Sequence, residues 1–214
     1  RAQVWRYDPA GNDWMLVHRS ALMERDGQAS SKDVGYRGMV VFQGTSDPEP
    51  ALYIAGTSAT GLHLYRSSDG ERFEEVGPPG FGDPRMPSCR SMLSWRGRLY
   101  VTPAGATGKT PNETDVPLII ASEDPASGVW EPVCEPAFGD DTNKAIAEIE
   151  VFDDHLYAAT LNPTRSTNPT AAPIAARRSS SAECGVWSAE LAPPPTRCHS
   201  AFRTPHSAFR IPMG

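Results

Sequence analysis

The sequence lacks several features that would point directly to a function. No run of apolar residues approaches the roughly 18 that a membrane-spanning helix needs, and the four cysteines form no C-x-x-C pair of the kind found in zinc ribbons. Basic residues are scarce, with 20 Lys and Arg against 26 Asp and Glu and a formal net charge of −6, whereas nucleic-acid-binding domains carry a basic footprint. We therefore expect no membrane span, no metal, no cofactor and no nucleic-acid partner.

Proline and glycine are what the chain has in abundance. It contains 21 prolines and 18 glycines among 214 residues, which is well above their combined average of roughly 12%. Between them lie short apolar runs rich in Val, Ile, Tyr and Phe. Such runs, divided by Gly, Pro and Asp, are typical of antiparallel strands joined by turns. The composition therefore predicts an all-β fold.

An internal repeat runs through most of the chain. The segment PGFGD returns as PAFGD 57 residues later. The aromatic residue Phe73 returns as Trp130 and again as Trp187, each time after 57 residues, and Trp14 lies 59 residues before Phe73. Four aromatic residues at nearly constant spacing indicate repeated structural units.

Each unit shows the same order of short strands. An apolar strand comes first (GMVVFQG, SMLSWRG, EIEVFDD), a Leu-Tyr strand follows (ALYIAGT, RLYVTPA, HLYAATL), a third strand comes next (GLHLYRS, VPLIIAS), and the strand marked by the aromatic residue closes the unit. Four strands in roughly 40–60 residues are the pattern of a β-propeller blade. Residues 1–162 are thus predicted to form a partial propeller of about three to four blades. They comprise a half blade at about 1–20, complete blades at about 35–79 and 88–136, and a half blade at about 145–162.

The stretch YRSSDGERF raises the question whether its Ser-Asp-Gly has a chemical or a structural role. Asp69 can cap a turn through its carboxylate, and Gly70 can adopt a positive φ. Aspartates also lie at this hairpin position in two other units, at Asp8 and Asp124, each six residues before a tryptophan. A catalytic residue rarely recurs in every repeat, so we predict a structural role. The predicted turn residues are Asp8, Ser67, Asp69, Gly70, Ser122 and Asp124.

These turns resemble the Asp boxes of sialidase-type propellers, and the strand order is similar to that of kelch-like propellers. The resemblance is carried by SSDGERF at 67–73 and SEDPASGVW at 122–130. Both depart from the Ser-x-Asp-x-Gly-x-x-Trp form, one by a shorter loop and the other by an insertion. In sialidases these boxes are structural and lie away from the active site. The resemblance therefore implies a fold rather than a catalytic activity.

A ligand site is expected at the central opening of such a propeller, where the first strand of each blade begins. Aligning the first strands on their closing aromatic residues places Arg37 and Arg90 at the same position, with Glu148 next to that position in the third unit. Two arginines facing one opening could bind a carboxylate, sulfate or phosphate bidentately. Asp83 and Asp140 of the FGD segments precede these strands and complete the predicted set of ligand-binding residues. The alternative is that each arginine pairs with the aspartate of a neighbouring FGD segment and holds blade to blade.

Two functional classes fit this sequence. The first is a non-catalytic module that binds a glycan, a small anionic ligand or another protein. The second is a glycan-active hydrolase or lyase, for which the resemblance to sialidases implies three convergent arginines, a Tyr–Glu nucleophile pair and an acid. The sequence offers candidates for only part of this set, namely Arg37, Arg90 and Glu148. We therefore name no catalytic residue, leave open whether the chain is an enzyme, and favour the binding module.

The repeat pattern breaks at residue 163. Residues 163–214 are rich in Pro, Ser, Ala and Arg and carry a net charge of +4, against −10 for residues 1–162. This composition predicts an irregular or disordered tail, either natural or produced by a shifted reading frame.

A partial ring would leave strand edges unpaired, so self-association is a further expectation. The compartment stays open, with an extracytoplasmic location among the alternatives. Also open is the disulfide state of Cys89, Cys134, Cys184 and Cys198.

Overall fold

A computed structural model of the chain describes residues 1–104 and 119–162, and this part of the molecule consists mainly of β-strands. The strands pair antiparallel in small sheets of two to four, so the prediction of an all-β fold is confirmed. The strands in these ranges are β1 (Gln3–Asp8), β2 (Asp13–Arg19), β3 (Leu22–Arg25), β4 (Gln28–Ser31), β5 (Gly35–Phe42), β6 (Ala51–Thr57), β7 (His63–Ser67), β8 (Glu74–Val76), β9 (Ser88–Trp95), β10 (Arg98–Ala104), β11 (Ile120–Ser122), β12 (Glu131–Pro132), β13 (Ala145–Phe152) and β14 (His155–Leu161).

Two sheets have four strands each, paired in the order in which they follow along the chain. One has the order β5-β6-β7-β8 and the other β9-β10-β11-β12. We call these the complete sheets. In addition, β1 pairs with β2, and β13 pairs with β14. By their place in the sequence repeat, β1 and β2 correspond to the third and fourth strands of a unit. By the same comparison β13 and β14 correspond to the first and second strands.

The strand that closes each unit is shorter than the sequence pattern suggests. Phe73 and Trp130 lie immediately before β8 and β12, which are three and two residues long, whereas Trp14 lies inside β2. Phe73 packs beside a buried cluster that includes Tyr65 of β7. Phe73 and Trp130 therefore serve as packing residues just before the last strand of the complete sheets, whereas Trp14 is largely exposed.

A hairpin between the first and second units has no counterpart in the predicted blades. It consists of β3 and β4, joined by Asp26 and Gly27 with φ of 54° and 73°. Asp-Gly is a strong hairpin signal because a type I′ turn needs positive φ at both central residues. Here the flanking strands LMER and QASS are short and mostly polar. These strands therefore show little of the alternation of apolar and polar residues that, together with Asp-Gly, predicts a hairpin from sequence.

The sheets pack against one another through their first and second strands. β9 lies against β5 and β6, and β13 lies against β9 and β10. Between the complete sheets, Phe42 and Tyr53 share a buried cluster with Leu99. Between β10 and β13, Tyr100 shares a second buried cluster with Ile149. Because apolar burial stabilises by roughly 25 cal/mol per Å², both clusters stabilise the packing of successive sheets.

The two FGD segments form the same uncommon turn. In the short 3-10 segments Pro79–Gly82 and Pro136–Gly139, the second and third residues have positive φ, at 62° and 57° in the first and 55° and 54° in the second. A left-handed backbone conformation is uncommon outside glycine. Its presence in both segments indicates that the repeat in the sequence is also a repeat of the backbone structure. Phe81 of the first turn packs on Trp130, with ring centroids 4.5 Å apart.

Several predictions fall on residues outside the described ranges. The tail at 163–214 lies there, as do Trp187, Cys184 and Cys198, so the boundary predicted at residue 162 stays a prediction. Within the described ranges, Cys89 is a buried free thiol. No helix of that part of the chain is long and apolar enough to cross a membrane.

Candidate ligand-binding site

The first strands of the repeat lie side by side and bring equivalent residues to one level. The Cys89 thiol donates to the backbone oxygen of Arg37 at 3.6 Å, which places Arg37 beside the residue that precedes Arg90. The hydroxyl of Ser91 donates a hydrogen bond to the Glu148 carboxylate, which connects β9 to β13. The structure thus places Arg37, Arg90 and Glu148 on neighbouring strands at the same level.

All three first strands have an irregular register at this level. The pairing of β5 with β6, of β9 with β10 and of β13 with β14 shifts by one residue there. Such β-bulges redirect side chains and are frequent beside functional sites. Gly38 of the first bulge has φ of 63°, and a Cβ on it would lie 2.6 Å from Cγ of Met92. Glycine at this position therefore lets β5 approach β9 closely.

The charged groups at this level differ in exposure. Arg37 and Glu148 are exposed, and Arg90 is half-buried. Burial raises the pKa of the Cys89 thiol to about 12, and the positive charge of Arg37 opposes that shift. Two guanidinium groups on adjacent strands can supply planar, charge-assisted hydrogen bonds to a carboxylate, sulfate or phosphate. The chemistry that this arrangement supports is therefore anion binding.

The aspartates of the FGD segments make contacts within their own loops. Asp83 forms an ion pair with Arg85, with 2.6 Å between Oδ2 and Nη2. Asp140 accepts hydrogen bonds from the hydroxyl and the backbone N–H of Thr142 at 2.6 and 3.0 Å. These bonds hold the pKa of both carboxyl groups below the ordinary value. Each aspartate thus contacts a residue two positions further along the chain.

The turn after β7 is built by side-chain caps. Asp69 accepts hydrogen bonds from the backbone N–H groups of Glu71 and Arg72, both at 2.8 Å, and these bonds lower its pKa. The hydroxyl of Ser67 accepts the N–H of Gly70 at 2.9 Å, and Gly70 has φ of 73°. Ser67, Asp69 and Gly70 therefore act locally on the shape of the hairpin.

The equivalent turns of the other units use fewer such bonds. The N–H of Ala10 donates to Asp8 at 3.0 Å, and the N–H of Asp124 donates to the hydroxyl of Ser122 at 3.1 Å. The Asp124 carboxylate instead accepts a hydrogen bond from Ser46, in the loop between β5 and β6, at 2.7 Å. The turn at Asp124 therefore also connects the two complete sheets.

A buried polar cluster around Asp33 was not predicted from the sequence. The Asp33 carboxylate is fully buried and lies 2.7 Å from Nδ1 of His63, 2.7 Å from the Tyr65 hydroxyl and 3.2 Å from the Ser20 hydroxyl. Burial alone would raise the pKa of Asp33, but the hydrogen bonds from His63 and Tyr65 bring it below its ordinary value. Burial and the bond to Asp33 raise the pKa of Tyr65.

The cluster ties the segment after β2 to the first complete sheet. Ser20 follows β2 directly, and its hydroxyl also accepts the backbone N–H of Asp33 at 2.8 Å. A Cβ on Gly56 would lie 2.4 Å from Oδ1 of Asp33, so the carboxylate occupies the space that a glycine leaves in β6. A single glycine inside a strand often marks such a close approach, and Gly56 was the signal available in the sequence.

A second buried carboxylate belongs to Asp47. It accepts hydrogen bonds from the Tyr53 hydroxyl at 2.6 Å, from the N–H of Gly44 at 2.9 Å and from Arg66. Burial and the bond to Asp47 raise the pKa of Tyr53. This cluster fixes the loop between β5 and β6, which contacts the turn at Asp124. Both buried carboxylates therefore stabilise connections between structural units.

Two cavities in the described part of the chain lie at hairpin loops. One, of about 280 Å³, lies between the complete sheets and is lined in part by Thr45, Arg98 and Glu131. The other, of about 370 Å³, borders the turn after β7. None of the predicted ligand residues lines either cavity. Among residues 1–104 and 119–162, no group of three or more His, Cys, Asp or Glu side chains is placed to hold a metal ion.

Comparison of the chain with protein-family models, with curated proteins and with solved structures finds no match in any of the three. A function for the chain is therefore inferred from its internal repeat and from the placement of Arg37, Arg90 and Glu148.

Proposed function

We propose that the chain is a non-catalytic, β-propeller-type module that binds an anionic ligand or an anionic glycan where β5, β9 and β13 begin. The observation that carries this proposal is the placement of Arg37 and Arg90 at equivalent positions of adjacent first strands, beside aligned β-bulges. Arginine recognises carboxylate, sulfate and phosphate groups through two parallel hydrogen bonds.

The propeller architecture is supported by how the repeated units pack. In each complete sheet the four strands follow in chain order. The first strand of each unit lies against the first strand of the next, as expected if first strands surround a common axis. Phe81 of the first FGD turn packs on Trp130 of the next unit and joins the two complete sheets, and the second FGD turn repeats the backbone conformation of the first.

A binding role is favoured over glycan hydrolysis by the surroundings of the two buried tyrosines of the first complete sheet. A sialidase-like mechanism needs a tyrosine activated by a glutamate. In the described part of the chain, Tyr53 and Tyr65 each donate to a buried aspartate, Asp47 and Asp33. These contacts make the hydroxyl groups less acidic. Glu148 lies at the predicted opening, where its carboxylate accepts hydrogen bonds from the Ser91 hydroxyl and from the backbone N–H of Ile149.

The proposal can be tested by binding the full chain to an array of neutral, sialylated and sulfated oligosaccharides. We expect binding to the anionic glycans only. Arg37→Gln and Arg90→Gln should each weaken it at least tenfold, because a charge-assisted hydrogen bond contributes about 1.5–3 kcal/mol. Arg25→Gln, which removes an exposed arginine from β3, is the matched control and should bind as the unmodified chain does.

Two results would contradict the proposal. Equal binding of neutral and anionic glycans would show that the arginines are not the recognition element, and unchanged binding by both arginine variants would show that the site lies elsewhere. Release of free sugar from any bound oligosaccharide would favour the glycan-active enzyme instead.

A further inference from the structure

Two surfaces of the described fold expose apolar side chains, and most of these side chains have a buried counterpart in another unit of the repeat. We call the first the aromatic face, which is the side of β13 and β14 that carries Phe152 and Tyr157, 71% and 53% exposed. We call the second the acceptor face, which is the side of β5 that carries Met39 and Val41, 54% and 61% exposed. Exposed apolar patches of this kind mark interaction surfaces.

The internal repeat shows what covers an aromatic face. In the first complete sheet the equivalent pair is Phe42 and Tyr53, which share a buried cluster with Met92 and Leu99 of the next sheet. The second complete sheet makes the same kind of contact with β13 and β14, where its aromatic pair lies beside Ile149. An aromatic face is thus covered twice by the first two strands of the following unit.

The same comparison shows what covers an acceptor face. When the first strands are aligned on Phe42 and Trp95, Met39 of β5 corresponds to Met92 of β9. Met92 is buried in the cluster that contains the aromatic pair of the preceding sheet, whereas Met39 is exposed. Met39 therefore occupies the position that an aromatic pair covers elsewhere in the molecule. The aromatic face and the acceptor face are the two halves of one repeated contact.

The strand edges complement each other in the same manner. In both complete sheets the second strand of the unit pairs with the third, as β6 with β7 and β10 with β11. β14 corresponds to a second strand and β1 to a third. Among the described strands, β14 pairs only with β13 and β1 only with β2. Unpaired edges offer N–H and C=O groups to another chain, and joining these two edges would give a β13-β14-β1-β2 sheet with the order of a complete one.

We propose that two copies of the chain associate head to tail, with the aromatic face and β14 edge of one copy against the acceptor face and β1 edge of the other. Two such contacts related by a two-fold axis would close a dimer and cover all four faces. Closure rests on the propeller architecture proposed above. Each copy supplies two complete and two half sheets, so a dimer would contain six four-stranded sheets, within the usual range of roughly 4–8 blades.

The mass of the full chain, measured by light scattering on a sizing column, tests this proposal. The chain has a mass of 23.2 kDa, and we expect twice that value. Phe152→Asp and Met39→Asp should each yield monomers, because either change would place an unpaired charge inside the contact. Val129→Asp alters an equally exposed apolar residue outside both faces and should remain dimeric. Circular dichroism of each variant verifies that it is folded.

Mixing the two monomeric variants separates head-to-tail association from other modes. One intact aromatic face and one intact acceptor face remain in the mixture, so we expect it to recover the dimer mass. No recovery, or dissociation by Phe152→Asp but not by Met39→Asp, would overturn the proposal in favour of a contact between like faces. A monomeric unmodified chain would also overturn it, including the case in which residues 163–214 of the same chain cover the faces.

The head-to-tail dimer and the anion-binding function can be overturned independently of each other. A monomer that still binds anionic glycans through Arg37 would overturn the dimer and leave the binding function standing. A dimer that binds none of the anionic glycans would overturn the binding function and leave the head-to-tail contact standing.

Discussion

The aromatic pair of the repeat is buried in the first complete sheet and exposed on β13 and β14. Phe42 and Tyr53 are 4% and 0% exposed, whereas Phe152 and Tyr157 lie largely in solvent. Their ring centroids are nevertheless similarly spaced, at 6.1 Å in the first pair and 6.4 Å in the second. Strand pairing thus sets the local geometry of the pair, and the neighbouring sheet decides how much stability the pair contributes.

The largest expected effect comes from removing the aromatic ring in each setting. Phe42→Ala should lower the free energy of unfolding by about 3–5 kcal/mol, because it leaves a cavity in the cluster between the complete sheets. Phe152→Ala should cost less than about 1 kcal/mol when the protein is dilute, since an exposed ring loses few contacts. Urea unfolding followed by circular dichroism measures both values. Equal losses would mean that the two pairs are in equivalent environments and would contradict the comparison.

Two glycines of the first complete sheet, Gly56 and Gly35, allow a second comparison, between a position where an added Cβ would overlap a neighbour and one where the space is open. Gly56→Ala should destabilise the fold by about 1–3 kcal/mol, because its Cβ would overlap the Asp33 carboxylate. Gly35→Ala should be neutral or slightly stabilising, because no atom lies within 4 Å of the added Cβ and alanine restricts the unfolded chain. Thermal unfolding of the two variants gives the difference. A neutral Gly56→Ala would show that Asp33 can leave its buried position at little cost.

The strands were predictable because their signals are local. Alternating apolar residues, bounded by Gly, Pro and Asp, identify a strand without knowledge of its neighbours, and the repeat orders the strands within each unit. The propeller ring needs information about how units are arranged around an axis, so it stays a prediction. The hairpin of β3 and β4 shows the limit of local signals, since its Asp-Gly turn joins strands with little apolar alternation.

The candidate site was predictable to a smaller extent. Alignment of the repeat places Arg37 and Arg90 on adjacent strands, because equivalent residues of packed units come to the same level. The clusters around Asp33 and Asp47 could not be predicted in this way. Asp33 contacts His63 and Tyr65, which lie 30 and 32 residues further along the chain. The internal sequence repeat gives no indication of these contacts.

The pH dependence of stability tests the role of the buried carboxylate against an exposed one. The pKa of Asp33 is lower in the folded chain than in the unfolded chain, where it is about 3.9. Its contribution to stability is therefore fully present above about pH 4 and is lost as the pH falls through the folded value. One proton contributes up to about 1.4 kcal/mol per pH unit to the slope. We expect Asp33→Asn to flatten the acid limb of the unfolding free energy.

Asp13→Asn is the matched control for this measurement, because Asp13 is exposed in β2. It should leave the slope below pH 4 unchanged. If Asp33→Asn and Asp13→Asn gave the same pH profile as the unmodified chain, the Asp33 carboxylate would have equal proton affinity in the folded and unfolded states, contrary to its contacts with His63 and Tyr65.

The smallest expected effect compares two neighbouring serines in the turn after β7. Ser67 is buried, and its hydroxyl accepts the N–H of Gly70, whereas Ser68 is exposed. Ser67→Ala should lower the free energy of unfolding by about 1 kcal/mol, the usual cost of leaving a turn N–H without its side-chain acceptor. Ser68→Ala should change it by less than about 0.5 kcal/mol. Since both changes remove a single hydroxyl, the difference in unfolding free energy measures the two hydrogen bonds of Ser67, the one that it accepts from Gly70 and the one that it donates to Asp69. Equal values would mean that the positive φ of Gly70, rather than the serine, determines the shape of the hairpin.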